Sequence, residues 1–280
     1  MKSSLIITTC NRPELLKNRS FPSAKNQNYP KDDFEVIVID DTETRNGLAW
    51  ARNEGVRKSK GKYIAFLDDD DALEPIFLKY TIPILENQLD KNVVIGKRLI
   101  VYPEITKEEP LPILGPNTLY TKLDDGYLIR KEVFDEIQYD EELLTNEDAD
   151  FGIQYIQKYG WESIALLENV LLFKFGHKAI QEERTSWSYS SERVFIGMQR
   201  YIKKNLKYYL KLPKELSYLY RMMGRLYCLG GKRKEAIKYF LKAFKVKRSS
   251  SNFVYLLAAI LGEKTFRKLW KREIVKLRFL

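Results

Sequence analysis

The chain has 280 residues, 44% of them hydrophobic and 13% aromatic, with 48 Lys+Arg against 38 Asp+Glu. That composition fits one large globular domain, or a domain with an appendage, and excludes a disordered or low-complexity chain. Two distant cysteines, Cys10 and Cys228, exclude a disulfide framework and a thiolate metal site and fit a reducing, cytoplasmic setting.

The net charge of +10 is unevenly spread. Residues 189–280 hold 24 Lys+Arg and 5 Asp+Glu, a net of +19, which leaves 24 basic and 33 acidic residues, a net of −9, in 1–188. An acidic front is no general polyanion binder, whereas a basic rear suits an anionic lipid surface. No recognition motif accompanies the charge, so no specific nucleic-acid partner is expected.

The first third alternates short apolar runs with helical patterns, the signature of βαβ units. "SLIITT" reads as a strand, and "RPELLKNRS" opens a helix with Pro13 in its first turn. "FEVIVID" is a nearly continuous apolar strand, "GLAWARNEGVRKSKG" the next helix, and "YIAFL" the third strand. Asp40-Asp41 and Asp68–Asp71 therefore fall at carboxyl ends of strands, where open α/β sheets bind ligands. A fourth strand is expected at "NVVIGKRLIVY", then a Pro-rich loop over 103–116, a strand and helix in "DGYLIRKEVFDEI", a helix in "EDADFGIQYIQKYG" and a last strand in "VLLFKFGH".

Beyond about residue 186 the pattern is helical only. "LSYLYRMMGRLYCLGGKRKEAIKYFLKAFKV" reads as an αα-hairpin turning at Gly230-Gly231 and similar to a single tetratricopeptide repeat, either a packing unit or a protein-docking one. Residues 264–280 put Phe266, Leu269, Trp270, Ile274 and Leu277 on one helical face, with basic residues largely opposite. Such a helix either lies on an anionic membrane surface or docks on its own domain. The longest apolar run, 253–261, is nine residues, and a membrane span needs about 20; residues 5–7 are too short for a signal-peptide core.

The acidic run has a chemical reading. Mg2+ or Mn2+ takes a few protein carboxylates and completes its shell with phosphate oxygens, so an Asp-x-Asp at a strand end can anchor a metal–diphosphate. Asp68-Asp69-Asp70 has that spacing, and Asp71 falls where it would cap a helix beginning near Leu73.

On "IITTCNRPELL", "FEVIVIDD", "GLAWARNEGVRKSKGKYIAFLDDDD" and "NEDADFGIQYIQKYG", in this order, residues 3–180 resemble the family 2 glycosyltransferases. The resemblance implies the GT-A fold, a Rossmann-like α/β domain with a mostly parallel sheet over 1–185, followed by an all-helical region over 186–280. It implies inverting, metal-dependent transfer from a nucleotide-diphospho-sugar, a UDP-sugar first of all, to a hydroxyl of a glycan or lipid-linked acceptor. Thr8 would lie near the base, with Asn11, Arg12 and Asp69 on the nucleotide-sugar side; Asp40 would meet the nucleoside and Arg52 the diphosphate. Asp70 would bind Mn2+ or Mg2+, and Asp68 the ribose or the metal through water. Glu147 would be on the acceptor side and Asp148 would be the catalytic base. Asp124, Asp125 and Gly126 fall where acceptor-side residues lie, although a turn explains them too, and His177 is either a metal ligand or structural. The chain departs from the family at Cys10, where an aromatic residue is common, and in a short loop between Asp41 and Gly47.

Two other readings remain at this level. A sugar-1-phosphate nucleotidyltransferase would carry a Gly-rich phosphate loop that "TTCNRPELL" lacks, and a non-catalytic platform for the helices would not need Asp40, Asp70 and Asp148 together.

Overall fold

The computed structural model describes residues 1–115, 123–176 and 192–262, with Thr265, Phe266 and Lys268. His177 and most of the expected helix over 264–280 lie outside the described residues. The chain divides into two compact units, Met1–Glu142 with Glu147–Glu182, and Leu143–Asn146 with Glu183–Leu280. The sequence places a boundary at 185/186 but gives no sign that four residues from the middle of the chain join the helical unit.

The first unit begins with β1 (Ser3–Thr9), the short helices α1 (Pro13–Leu15) and α2 (Phe21–Lys25) joined by a π-helical turn, β2 (Phe34–Asp40), α3 (Leu48–Lys58) and β3 (Tyr63–Asp68). It continues through β4 (Ala72–Leu73), α4 (Phe77–Asn87), β5 (Val93–Val101), β6 (Thr106–Glu109), β7 (Tyr127–Arg130), α5 (Val133–Glu136), α6 (Glu147–Tyr159) and β8 (Ile164–Phe175). The strands form one mixed sheet in the order β2-β1-β3-β7-β5-β8-β4, with β6 on β5. Its long ladders are parallel, β1 with β2, β1 with β3 and β5 with β8, and the antiparallel pairings that join them are short.

Alternation along the strands builds a core on each face of the sheet. Leu5, Ile7, Tyr63, Ala65 and Leu67 pack on one side, while Ile6, Ile64 and Phe66 pack on the other against Val56, Phe134 and Phe151. Both faces are covered, which is why β1 is buried along its whole length and reads as an uninterrupted apolar run. The same register gathers the carboxylates. Thr9 pairs with Asp40 and Thr8 with Asp68, so residues 28 positions apart in sequence end level at one edge.

The second unit contains α7 (Glu192–Lys204), α8 (Leu206–Tyr209), α9 (Pro213–Leu229), α10 (Arg233–Val246) and α11 (Ser250–Leu261). α9 and α10 form the expected hairpin around Gly230-Gly231, and Ala236, Phe240 and Ala243 are wholly buried. Gly224 is where the helices come closest, since a Cβ there would lie 2.7 Å from the Phe240 ring. Asn252 of α11 ties the three helices together, donating to Ser217 Oγ at 2.7 Å and to the Ala243 and Lys247 carbonyls at 3.1 and 2.7 Å. Among the described residues no helix is long and apolar enough to cross a membrane.

One expectation is corrected. Asp71 caps no helix: Ala72-Leu73 form a strand paired with β8, and the helix starts only at Phe77. The pairing partner of that strand explains why, because it brings a cation to Asp71, as described below.

Gly61, just before β3, passes so close to β1 that a Cβ would lie 2.4 Å from the Ser3 carbonyl carbon and 2.5 Å from the Ser4 nitrogen. Backbone cannot yield as a flexible side chain does, so Gly61→Ala is expected to cost about 1–3 kcal/mol. Urea denaturation measures it; a midpoint equal to that of the unaltered protein would contradict this packing.

Candidate active site

The carboxyl ends of β1, β2 and β3 carry Thr8, Asp40 and Asp68, and the turn after β3 carries Asp69, Asp70 and Asp71. Oxygens of Asp68, Asp70 and Asp71 lie within 4.8 Å of one another. Such oxygen-only donors suit a hard divalent cation. Asp71 is committed elsewhere, accepting from the Phe175 backbone N–H at 3.0 Å and pairing with Lys174 at 3.2 Å. Asp68 and Asp70 also meet cations, but their side chains are 26% and 19% exposed against 5% for Asp71, which makes them the pair that a metal could reach.

Asp40 is exposed and accepts from the Thr42 N–H at 2.9 Å and the Thr42 hydroxyl, which in turn accepts from the Asn11 N–H at 2.7 Å. The loop holding Asn11 is thereby fixed beside Asp40. Its neighbour Asp41 is buried and accepts from the Thr44 hydroxyl and the Asn46 and Gly47 N–H groups at 2.6–2.8 Å, which folds the short loop that starts α3. The sequence reading left Asp41 without a role.

Arg12 lies over the acidic turn, with its guanidinium 2.6 Å from Asp69 and 2.8 Å from Asp70. Asp69 is wholly buried and also accepts from the Thr9 hydroxyl at 2.7 Å. These partners make it an anchor between the turn and β1, in place of the expected nucleotide contact. Thr8 is buried with its hydroxyl 3.5 Å from Asp68.

Arg52 projects from α3 and is 1% exposed. It reaches Asp68 at 3.5 Å and Glu147 at 3.4 Å and lies against the rings of Tyr139 and Phe66, with centroids at 5.3 and 5.9 Å. Sequence reasoning expects it to face a diphosphate; its observed partners are two carboxylates of the site. Burial opposes its charge, but Tyr139, Asp68 and Glu147 hold its pKa well above the ordinary value. Through Arg52 the end of β3 is joined to the start of α6, where Glu147 and Asp148 sit in the first turn. The Asp148 carboxylate accepts from the Ala149 N–H at 2.7 Å. Burial and then Asp124 raise the Asp148 pKa, with Arg52 opposing; burial and then Asp148 raise that of Glu147 to about 7.

Two cations that the sequence reading did not single out form the floor of the site. Lys174 of β8 contacts Asp125 at 2.7 Å and both Asp124 and Asp71 at 3.2 Å, and Arg98 of β5 contacts Asp124 at 2.6 Å and the Asp125 carbonyl at 2.7 Å. Burial works against a charged Asp124, yet Arg98 and Lys174 keep its pKa well below the carboxylate range. Burial and the proximity of Asp125 push Asp71 up to about 9, while burial and Asp125 raise Asp68 to about 7. Gly126, at φ +65°, turns the chain into β7 where a Cβ would meet the Leu172 side chain at 2.6 Å. Asp124 and Asp125, expected on the acceptor side, are thus engaged by Lys174 and Arg98. The available signal was charge inside two apolar strands, a lone Lys in "LLFKF" and the adjacent Lys97-Arg98 in "VVIGKRLIV".

The site is a carboxylate cluster at the carboxyl ends of β1–β3 in a mixed sheet, joined through Arg52 to the acidic start of α6. Comparison with known proteins extends this. Residues 42–139 match the family model described as Glycosyl transferase family 2. An uncharacterized glycosyltransferase of Haemophilus influenzae is 24% identical over 93% of this chain and 96% of its own length. The poly(ribitol-phosphate) beta-N-acetylglucosaminyltransferase TarS of Staphylococcus aureus is 25% identical over 55% of this chain, a match spanning 32% of TarS. The crystal structure of TarS 1–349 in complex with UDP-GlcNAc is similar with a TM-score of 0.57 at 18% identity, over 92% of this chain and 79% of that one, a likeness of fold. Over residues 42–139 the chain is thus similar to the family 2 glycosyltransferases, and its fold is of the GT-A type.

Lys174→Met removes one of the two cations that hold Asp71, Asp124 and Asp125, leaving Arg98 alone, and breaking a buried ion cluster from one side costs about 3–5 kcal/mol. Adding Asp125→Asn removes one of the stranded charges and is expected to restore part of that loss. Equal stability of the single variant and the unaltered chain in urea denaturation would rule out this role for Lys174.

Proposed function

We propose that this glycosyltransferase works by inverting transfer aided by a divalent cation, moving a sugar from a UDP-sugar to a hydroxyl of a glycan or lipid-linked acceptor. The observation that carries the reading is the position of Arg52, which ties Asp68 on the donor side to Glu147, the neighbour of Asp148. The match to TarS, whose structure was solved with UDP-GlcNAc, supports a uridine nucleotide as donor. The activity of TarS, a poly(ribitol-phosphate) beta-N-acetylglucosaminyltransferase, supports a hydroxyl-bearing polymer as one acceptor class.

Asp40, exposed at the end of β2, accepts hydrogen bonds from the nucleoside. Asp68 and Asp70 hold Mn2+ or Mg2+, which when bound supplies positive charge to offset that developing on the departing diphosphate. Arg52 keeps Asp68 in place from behind. Asp148 takes the proton of the acceptor hydroxyl while that oxygen bonds to the anomeric carbon on the face opposite the diphosphate. The bond from the anomeric carbon to the diphosphate oxygen breaks with its electron pair leaving on that oxygen. A single displacement inverts the anomeric configuration and leaves the proton on Asp148.

Burial and the nearby Asp124 make Asp148 a stronger base than an ordinary aspartate. It must be deprotonated to act, so the rate is expected to fall with acid at a pH above the ordinary aspartate value of about 3.9. Asp148→Asn is expected to lower kcat by about 10²–10⁴ with donor binding preserved. Steady-state kinetics with a UDP-sugar and NMR of the product anomer test both points. A variant as fast as the unaltered enzyme, or a product of retained configuration, would remove Asp148 from this role.

A further inference from the structure

α11 is apolar all the way round. Residues 250–262 include no charged side chain, and its N-terminus is closed by Ser249, whose hydroxyl accepts from the Asn252 N–H. A helix of this kind belongs inside a protein or against lipid, yet among the described residues only one side of it is buried. Tyr255, Leu256, Ala258 and Ala259 are buried, with Tyr255 stacked on Phe240 at 5.7 Å. Phe253, Val254, Leu257, Ile260 and Leu261 are between 42% and 63% exposed. At 100° per residue these five fall within an arc of about 120°, and they span about 12 Å along the axis. Phe244 of α10, 6.2 Å from the Phe253 ring, extends the apolar strip sideways.

Basic groups stand at both ends of the strip. Lys247 and Arg248 precede its first turn, and Arg233 donates to the Ala259 and Ile260 carbonyls at its last. Across residues 232–262 there are eight Lys and Arg, all exposed, against the single acidic residue Glu235. A second copy docked through this strip would oppose like charges across a two-fold axis. An anionic bilayer matches both features, because acyl chains cover the strip while phosphates meet the cations.

We infer that the exposed face of α11 is a docking surface for an anionic lipid bilayer. The residues of this face belong neither to the segment 264–280 nor to the carboxylate site, so its test reads lipid binding and not turnover. The full chain is sedimented with vesicles of phosphatidylcholine alone and of equimolar phosphatidylcholine and phosphatidylglycerol. Binding to the anionic vesicles is expected, weakening with added salt, and Phe253→Asp with Leu257→Asp is expected to reduce it about tenfold or more. Leu210→Asp, an exposed apolar residue outside the strip, is expected to bind as the unaltered chain does. Phe253→Ser with Leu257→Ser is a milder pair that should weaken binding while keeping the melting temperature. Any of four results overturns the inference: no binding by the unaltered chain, equal binding by the strip variants, a dimer that the strip variants split while vesicle binding persists, or a large fall in melting temperature for the serine pair, which would mean that protein already covers the strip.

Discussion

The buried guanidinium of Arg52 is the interaction on which the first unit depends most. A charge at 1% exposure is tolerated only with opposite charge beside it, and Arg52 has Asp68 on one side and Glu147 on the other. Those carboxylates come from β3 and α6, 79 positions apart in the chain. Neutralising one cation therefore fixes the distance between the strand end that carries Asp68 and Asp70 and the helix start that carries Asp148. The rings of Phe66 and Tyr139 pack against the guanidinium, and Tyr139 shares a hydrogen bond of 2.8 Å with the Tyr127 hydroxyl. The aromatic core beneath the site thus belongs to the same device.

The acidic crevice needs further compensation, and the sheet supplies it. β8 pairs with β4 so that Phe173 faces Ala72, which brings Lys174 beside Asp71. β8 also runs parallel to β5, whose Arg98 reaches Asp124. Two strands that read as apolar runs each deliver one cation to the floor of a negatively charged pocket. Without them, Asp71, Asp124 and Asp125 would repel the carboxylates of Asp68, Asp70 and Asp148. Carboxylates so close to neutral or cationic partners divide in behaviour: Asp124 is held ionised by two cations, while burial and Asp125 hold Asp71 toward its protonated form.

Much of this was legible in the sequence because parallel strands bury both faces. The runs "SLIITT", "FEVIVID" and "YIAFL" announce β1, β2 and β3, and the aspartates that follow them then sit at one edge by topology alone. The helical hairpin was equally visible from its spacing and its Gly-Gly turn. What the sequence hides is pairing at long range. Asp71 sits where a helix cap would, and only the β4–β8 ladder shows that its partners are Lys174 and a backbone N–H. Arg52 has a charge that the family resemblance assigns to a diphosphate, and its two partners within the chain, Asp68 and Glu147, could not be read from the sequence. Asp69 is indistinguishable in sequence from its neighbours, but it points inward to Thr9. Local propensity finds elements, and the roles of charged residues follow from which elements meet.

The central claim is that Asp68 and Asp70 hold a divalent cation that in turn holds the donor. Titration calorimetry of UDP into the full chain, with Mn2+ and with EDTA, addresses it directly. The account predicts binding with Mn2+, a loss of about tenfold or more in affinity with EDTA, and an Asp70→Ala variant that no longer responds to the metal. Equal affinity with and without Mn2+, or an Asp70→Ala variant that keeps the full metal effect, would contradict it.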